Sequence, residues 1–234
     1  MTKPILPKTR LRTGFLAGAL FLSMPYAAFA ASPSGQIEGI ARVVDGDTLD
    51  IAGTRVRLEG IDAPETAQTC TDAKGQPWPC GTAATARLRA LADGREVVCD
   101  QVGTDKYRRA LGICFEDGQN INEAMVRTGM AWAFVKYSQT FVGVEADARA
   151  RKIGVWQGPA QEPWNFRSGE WQVAANAAPD ACAIKGNISD RGYLYHLPWS
   201  AWYDKVKIDP AHGERWFCSE DEAVAAGWRS ALSN

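Results

Sequence analysis

Histidine is scarce in this chain: His196 and His212 are the only two, and both lie near its C-terminal end. Histidine acid–base catalysis is therefore not expected in the preceding two-thirds. Bulk positive charge is missing too. The formal net charge is −1, and a mildly acidic protein gains no long-range attraction to nucleic acid. Any phosphate binding must come from a few placed cations and a bound metal ion. No CxxC occurs, which argues against a compact zinc knuckle. There are no internal repeats and no low-complexity tracts. The apolar run from Gly14 to Met24 is too short to span a bilayer comfortably.

What is present begins with a leader. Lys3, Lys8, Arg10 and Arg12 form a basic start without acids, the apolar run follows, and Ala28-Phe29-Ala30 has the small-x-small form of a signal peptidase site. Residues 1–30 thus read as a signal peptide cut after Ala30, giving a periplasmic or secreted protein with no stable membrane anchor. Its removal takes the net charge from −1 to −5 and leaves about 204 residues, enough for one ordinary domain and a small one. An apolar fraction of 46% and nine tryptophans promise a packed core. Six cysteines, at 70, 80, 99, 114, 182 and 218, favour disulfides in an exported chain. Sequence order suggests 70–80, 99–114 and 182–218, among fifteen possible connectivities. A zinc site of Cys182, His196, His212 and Cys218 is the weaker alternative.

Periodicity predicts a strand near Ile37–Val44 and a hairpin of Thr48–Ile51 with Arg55–Ile61, turned at Ala52-Gly53. Val56 and Leu58 should face one side, and Arg55, Arg57 and Glu59 the other. Thr82–Asp93 reads as a helix with Ala84, Leu88 and Leu91 inward and Gly94 as its stop. Paired strands at Glu96–Asp100 and Leu111–Phe115 follow, then a helix from Ile121 capped by Asn120 or Asn122, a strand at Ala131–Val135 and a helix at Val144–Ile153. Short strands with inserted helices suggest an α+β protein built on an OB-type barrel, residues 36–157. Residues 158–178 show no clear pattern and read as a linker or packing extension. Residues 179–234 read as a small cysteine-containing domain, whose last helix starts at a Ser219/Glu222 capping box.

The chemistry concentrates at VVDGDTLDIAGTRVRLEGIDAPE, residues 43–65. DGD on its own is a common turn sequence. Here the hairpin geometry brings Asp47 and Asp62 to the same end, away from the turn. Two carboxylates and a backbone carbonyl at the Asp62-Ala63 bend suit a hard cation with oxygen ligands. Arg57 lies on the strand leading to Asp62, and Glu65 is close enough to act on water beside a metal. These are the parts that phosphodiester hydrolysis uses. The TDKYRRAL stretch, residues 104–111, offers Lys106, Arg108 and Arg109 as a second phosphate clamp.

VVDGDT, RLEGIDAPE, TDKYRRALG, INEAMVRTGMA and GVW, in that order, resemble the staphylococcal (micrococcal) nuclease, or thermonuclease, family from about Ile37 to Trp156. The resemblance implies a five-stranded OB-fold barrel with three helices and calcium-dependent cleavage of DNA and RNA. It implies Asp47, Asp62 and the Ala63 carbonyl as calcium ligands, Arg57 and Arg109 on the scissile phosphate, and Glu65 as activator of the attacking water. An unperturbed glutamate, with a pKa of about 4.3, is a weak base near neutrality. Val135 stands where the family places a substrate-contacting tyrosine, which leaves Lys106, Tyr107 and Tyr137 as substrate-binding candidates. A monomer is expected.

The tail resembles small modules appended to some bacterial secreted nuclease-like proteins. The alternative function is therefore a non-catalytic nucleic-acid or glycan-binding accessory protein, for example in exopolysaccharide assembly. Trp199, Trp202, Tyr203 and Trp216 would form its surface, although so short a unit needs aromatics for its own core.

Overall fold

Strand β1 (Gln36–Val43) leads into a hairpin whose turn sets its register. In the computed structural model, which describes residues 1–2 and 35–231, Ala52 and Gly53 have φ of +50° and +83°. Left-handed values at both central residues match the twist of a two-residue hairpin. Strands β2 (Thr48–Ile51) and β3 (Thr54–Leu58) then pair with Thr48 opposite Arg57 and Leu49 opposite Val56. Val56 and Leu58 turn inward, while Arg55, Arg57 and Glu59 stay partly exposed, as the alternation predicts. The leader read in residues 1–30, with its cleavage point, lies outside the described residues from residue 3 onward.

After β4 (Ile61–Asp62), the short strands β5 (Cys70–Thr71) and β6 (Pro77–Trp78) form a small loop closed by the Cys70–Cys80 disulfide. Strands β7 (Glu96–Thr104), β8 (Ala110–Glu116) and β9 (Gln119–Asn120) follow. The sheet runs β3-β2-β1-β7-β8-β9, and a parallel β3–β8 pairing closes β1, β2, β3, β7 and β8 into a five-stranded barrel of the OB type. Cys99 and Cys114 sit opposite each other on β7 and β8 and are bonded.

Helix α1 (Cys80–Ala92) buries Ala84, Leu88 and Leu91 over one end of the barrel. Each fully buried leucine contributes roughly 1.5–3 kcal/mol. Helix α2 (Ile121–Arg127) is capped by Asn120, whose side chain accepts from the Glu123 amide at 2.9 Å. Asn122 is not the cap: fully buried, it accepts from the Cys114 amide and donates to the Glu59 and Gly112 carbonyls. The strand read at 131–135 shortens to β10 (Trp132–Ala133), paired with β4, and helix α3 spans Val142–Ala150.

The segment 158–178 departs most from its sequence reading. Residues Pro163–Ala177 form a 15-residue helix, α4, with Pro163 in its first turn. Trp164 packs with Trp78, Trp132 and Trp156 on the barrel side, whereas Trp171 packs with Trp199 and the C-terminal core.

That core is covered by a four-stranded sheet ordered β13-β11-β12-β14, from β11 (Ile184–Ser189), β12 (Gly192–His196), β13 (Arg215–Phe217) and β14 (Arg229–Ser230). Ser219 caps α5 (Glu220–Ala225) by accepting from the Glu222 amide. The Glu222 carboxylate reaches back to the Cys218 amide. Tyr203 is buried, and Trp199 and Trp216 pack on the core; Trp202 is 60% exposed. Cys182 and Cys218 form the third disulfide and no cysteine among the described residues is free. The zinc alternative therefore loses its thiolates. No helix among the described residues is long and apolar enough to cross a membrane.

Candidate active site

Gly46 decides how closely the two acidic arms approach. A Cβ there would lie 2.8 Å from the Cβ of Ala63 and 3.2 Å from that of Ala84. The glycine of the DGD sequence is thus a spacer for backbone contact, and its φ is not among the left-handed ones. With the arms in contact, the Ala63 amide donates to Asp47 Oδ2 at 3.3 Å. On the other side, Gly81 lets α1 meet the carbonyl of Glu65.

Asp47 is 5% exposed and Asp62 is fully buried. Both converge on Arg57. Its Nη1 donates to Asp47 Oδ1 at 3.0 Å; its Nη2 lies 2.9 Å from Asp47 Oδ2 and donates to Asp62 Oδ1 at 2.7 Å. Thr48 Oγ1 also donates to Asp47 Oδ1, at 3.0 Å. Burial works against the charge on Asp47, but Arg57, Arg109 and Arg167 outweigh it and hold its pKa below the usual range. Burial likewise opposes the Arg57 charge, and Asp47 and Asp62 keep it raised. Asp45 stands apart: its Oδ1 accepts from the Asp47 amide at 3.1 Å. Burial and the neighbouring Asp47 push Asp45 up to about 6.

Arg167, which sequence reasoning missed, enters this cluster from α4. Its Nη2 donates to Asp62 Oδ2 at 2.7 Å, and its Nη1 to Asp62 Oδ1 at 3.1 Å and Glu65 Oε1 at 2.7 Å. The cluster therefore extends beyond the segment 36–157. Burial pushes Glu65 up to about 8, while Arg167 pulls it back. Gln68, 1% exposed, pins this corner: its Oε1 accepts from the Glu65 amide at 3.2 Å, and its Nε2 donates to the Gln161 carbonyl at 2.7 Å.

The 104–111 loop supplies Arg109. Its Nε donates to Asp105 Oδ2 at 2.7 Å, and its guanidinium lies 5.3 Å from the Tyr107 ring centre. Arg109 does not touch either aspartate, although its charge reaches Asp47. Lys106 lies 4.6 Å over the Tyr107 ring. Tyr137, 65% exposed, meets Phe134 edge-on at 5.0 Å, and Phe134 stacks on Trp164 at 5.4 Å.

The donor set at Asp47 and Asp62 fits a hard cation, because all its atoms are oxygens and both carboxylates are within reach of one guanidinium. Among the described residues no group of three or more His, Cys, Asp or Glu is arranged as a metal cage. A cation here would keep several waters.

The family model for staphylococcal nuclease homologues matches residues 55–158. Arg57, Asp62, Ala63, Glu65 and Arg109 fall inside that match; Asp47 precedes it and Arg167 follows it. The chain is 34% identical to the succinoglycan biosynthesis protein ExoI of Rhizobium meliloti over 151 residues, 63% of this chain and 78% of the relative. It is 36% identical to a micrococcal nuclease of Shigella flexneri over 146 residues, 55% of this chain and 78% of the relative. An Escherichia coli endonuclease of otherwise undefined role is 34% identical over 136 residues, 55% of this chain and 82% of the relative. The chain belongs to the staphylococcal nuclease family, and its homology supports a nuclease-like function.

Proposed function

We propose that this member of the staphylococcal nuclease family is an exported, calcium-dependent endonuclease that hydrolyses phosphodiester bonds of DNA and RNA as a monomer. The observation that carries the reading is the convergence of Asp47 and Asp62 on Arg57, with Glu65 beside them. Three disulfides support an oxidising compartment. Residues 36–157 carry most of the site, 158–178 add α4, and 179–234 form a small C-terminal domain.

Asp47, Asp62 and the Ala63 carbonyl would hold the calcium, which would offset charge building on the phosphoryl oxygens. Arg57 and Arg109 donate to those oxygens, and a planar fork suits two of them at once. Glu65 takes the proton of a water whose oxygen bonds to phosphorus. The bond from phosphorus to the 5′ oxygen breaks, that oxygen takes a proton from solvent water and Glu65 returns its own to solvent, leaving a 3′-phosphate and a 5′-hydroxyl. Lys106, Tyr107 and Tyr137 contact flanking nucleotides, the tyrosines by stacking on bases.

The test is cleavage of plasmid DNA and of RNA with calcium or with a chelator. Asp47→Ala and Asp62→Ala should abolish cleavage, with circular dichroism showing the fold retained; full cleavage in chelator would refute the metal assignment. A second reading, a glycan-binding accessory protein, is favoured by the exposed Trp202 and by the name of the Rhizobium relative. It requires no cleavage under either condition.

A further inference from the structure

Asp62 has both of its oxygens taken. Oδ1 accepts from Arg57 and Arg167, and Oδ2 accepts from Arg167 at 2.7 Å. Arg167 thus holds the fully buried carboxylate side-on, in the paired geometry that makes arginine–carboxylate contacts strong. The same guanidinium spans to Glu65. It takes both oxygens of Asp62, one of the carboxylates proposed to ligate the cation.

The helix that delivers it is held on either side of Arg167. Trp164, one turn before Arg167, stacks on Phe134, and Trp171, one turn after, packs with Trp199. The segment leading into the helix is held by Gln68 at the Gln161 carbonyl. Arg167 itself is only 21% exposed. A long arginine on a mobile surface would be a weak competitor; one mounted on an anchored helix loses little freedom in making the contact.

We propose that Arg167 is a tethered competitor for the divalent cation, and that it sets the calcium affinity of the site from beyond the segment that defines the family. The inference rests on the calcium-dependent reading above. For Asp62 Oδ2 to ligate a cation, Arg167 must release it. Arg57, Arg167 and a divalent ion gathered on Asp62 would repel one another. The apparent affinity is therefore the intrinsic one multiplied by the fraction of molecules in which Arg167 has let go.

The experiment is calorimetric titration of the full mature chain with calcium chloride, without substrate, comparing wild type with Arg167→Gln, Arg167→Lys and Arg109→Gln. Arg167→Gln should bind calcium about tenfold more tightly, as expected if roughly one molecule in ten is open in the wild type. Arg167→Lys keeps the charge but loses the paired contact, and should fall between the two. Arg109→Gln removes a nearby charge that touches neither aspartate, and should change affinity by less than about threefold after screening. Equal or weaker calcium binding in Arg167→Gln overturns the inference while leaving the calcium reading intact. Should Arg167→Gln fail to fold, the lysine variant decides, and unchanged affinity there overturns it. If no form takes up calcium, the calcium reading fails and this inference falls with it.

Discussion

Replacing Arg57 by alanine tests the central arrangement without any need for substrate. Among the described residues, Arg57 is the only group that contacts Asp47 and Asp62 together, through three contacts of 2.7–3.0 Å. Breaking a buried ion pair from one side costs about 3–5 kcal/mol, because the remaining charge stays out of water. In Arg57→Ala, Asp62 keeps Arg167, so Asp47 is the residue left exposed to that cost. It retains donors from Thr48 and Ala63, which puts the expected loss near the lower end, about 3 kcal/mol. At roughly 2–4 °C per kcal/mol for a chain of this size, the melting temperature in chelator should fall by about 6–12 °C. Thermal and urea unfolding read this directly. Asp47→Asn in the same molecule removes the unpaired charge and should recover about half of the loss, a coupling that a double-mutant cycle isolates. Loss of less than about 1 kcal/mol, or additive effects of the two changes, would show that Arg57 does not hold the acids together.

Three further outcomes are expected. Gly46→Ala should cost about 1–3 kcal/mol in urea unfolding, since its Cβ would meet Ala63 at 2.8 Å, and Ala63→Gly should restore part of it. Arg109→Ala should lower turnover about a hundredfold, and Asp105→Ala, which frees Arg109 without removing it, about tenfold; losses below tenfold for Arg109→Ala would mean that another cation clamps the phosphate. His196 is 7% exposed and bonds Asn187, and burial, with Lys185 and Arg191 nearby, lowers its pKa. Because the unfolded chain then binds the proton more tightly, its contribution is complete above about pH 6.5 and lost as pH falls toward the depressed value. His196→Gln should remove up to about 1.4 kcal/mol per pH unit of that slope below pH 6.5, and identical slopes would refute the assignment.

The parts of the fold that local rules determine were legible in the sequence. The Ala52-Gly53 turn fixed a register, and period-two alternation then separated Val56 and Leu58 from Arg57. Helix α1 buries the three residues its spacing selects, and each disulfide joins cysteines consecutive in sequence. Helix α4 escaped because its faces serve two different cores, so no single apolar stripe runs along it. Its buried residues are only Pro163 and Ala174. A signal was present nonetheless: Trp164, Arg167, Trp171 and Ala174 recur at helical spacing. A charge in that stripe hides it from a purely apolar template. Asp105 and Gln68 were missed for another reason, since each acts by positioning a neighbour and carries no recognisable motif.

The position of Arg167 bears on how an acidic protein could handle a polyanion. Asp47, Asp62 and Glu65 face Arg57 and Arg167, which leaves the cluster without net positive charge. A phosphodiester gains no net attraction from such a site. Under the proposed function, a divalent ion makes the site positive, and Arg109 on its separate loop adds to that field. Attraction to substrate would then depend on the metal and not on the overall charge of −1, which offers nucleic acid nothing. Under the same proposal Arg167 would be consequential in a second way: on leaving Asp62 it would free a guanidinium that a phosphate could use. Metal binding and substrate binding would thereby be coupled through one side chain, and by reciprocity a bound phosphodiester should raise calcium affinity by the same factor that calcium raises substrate affinity.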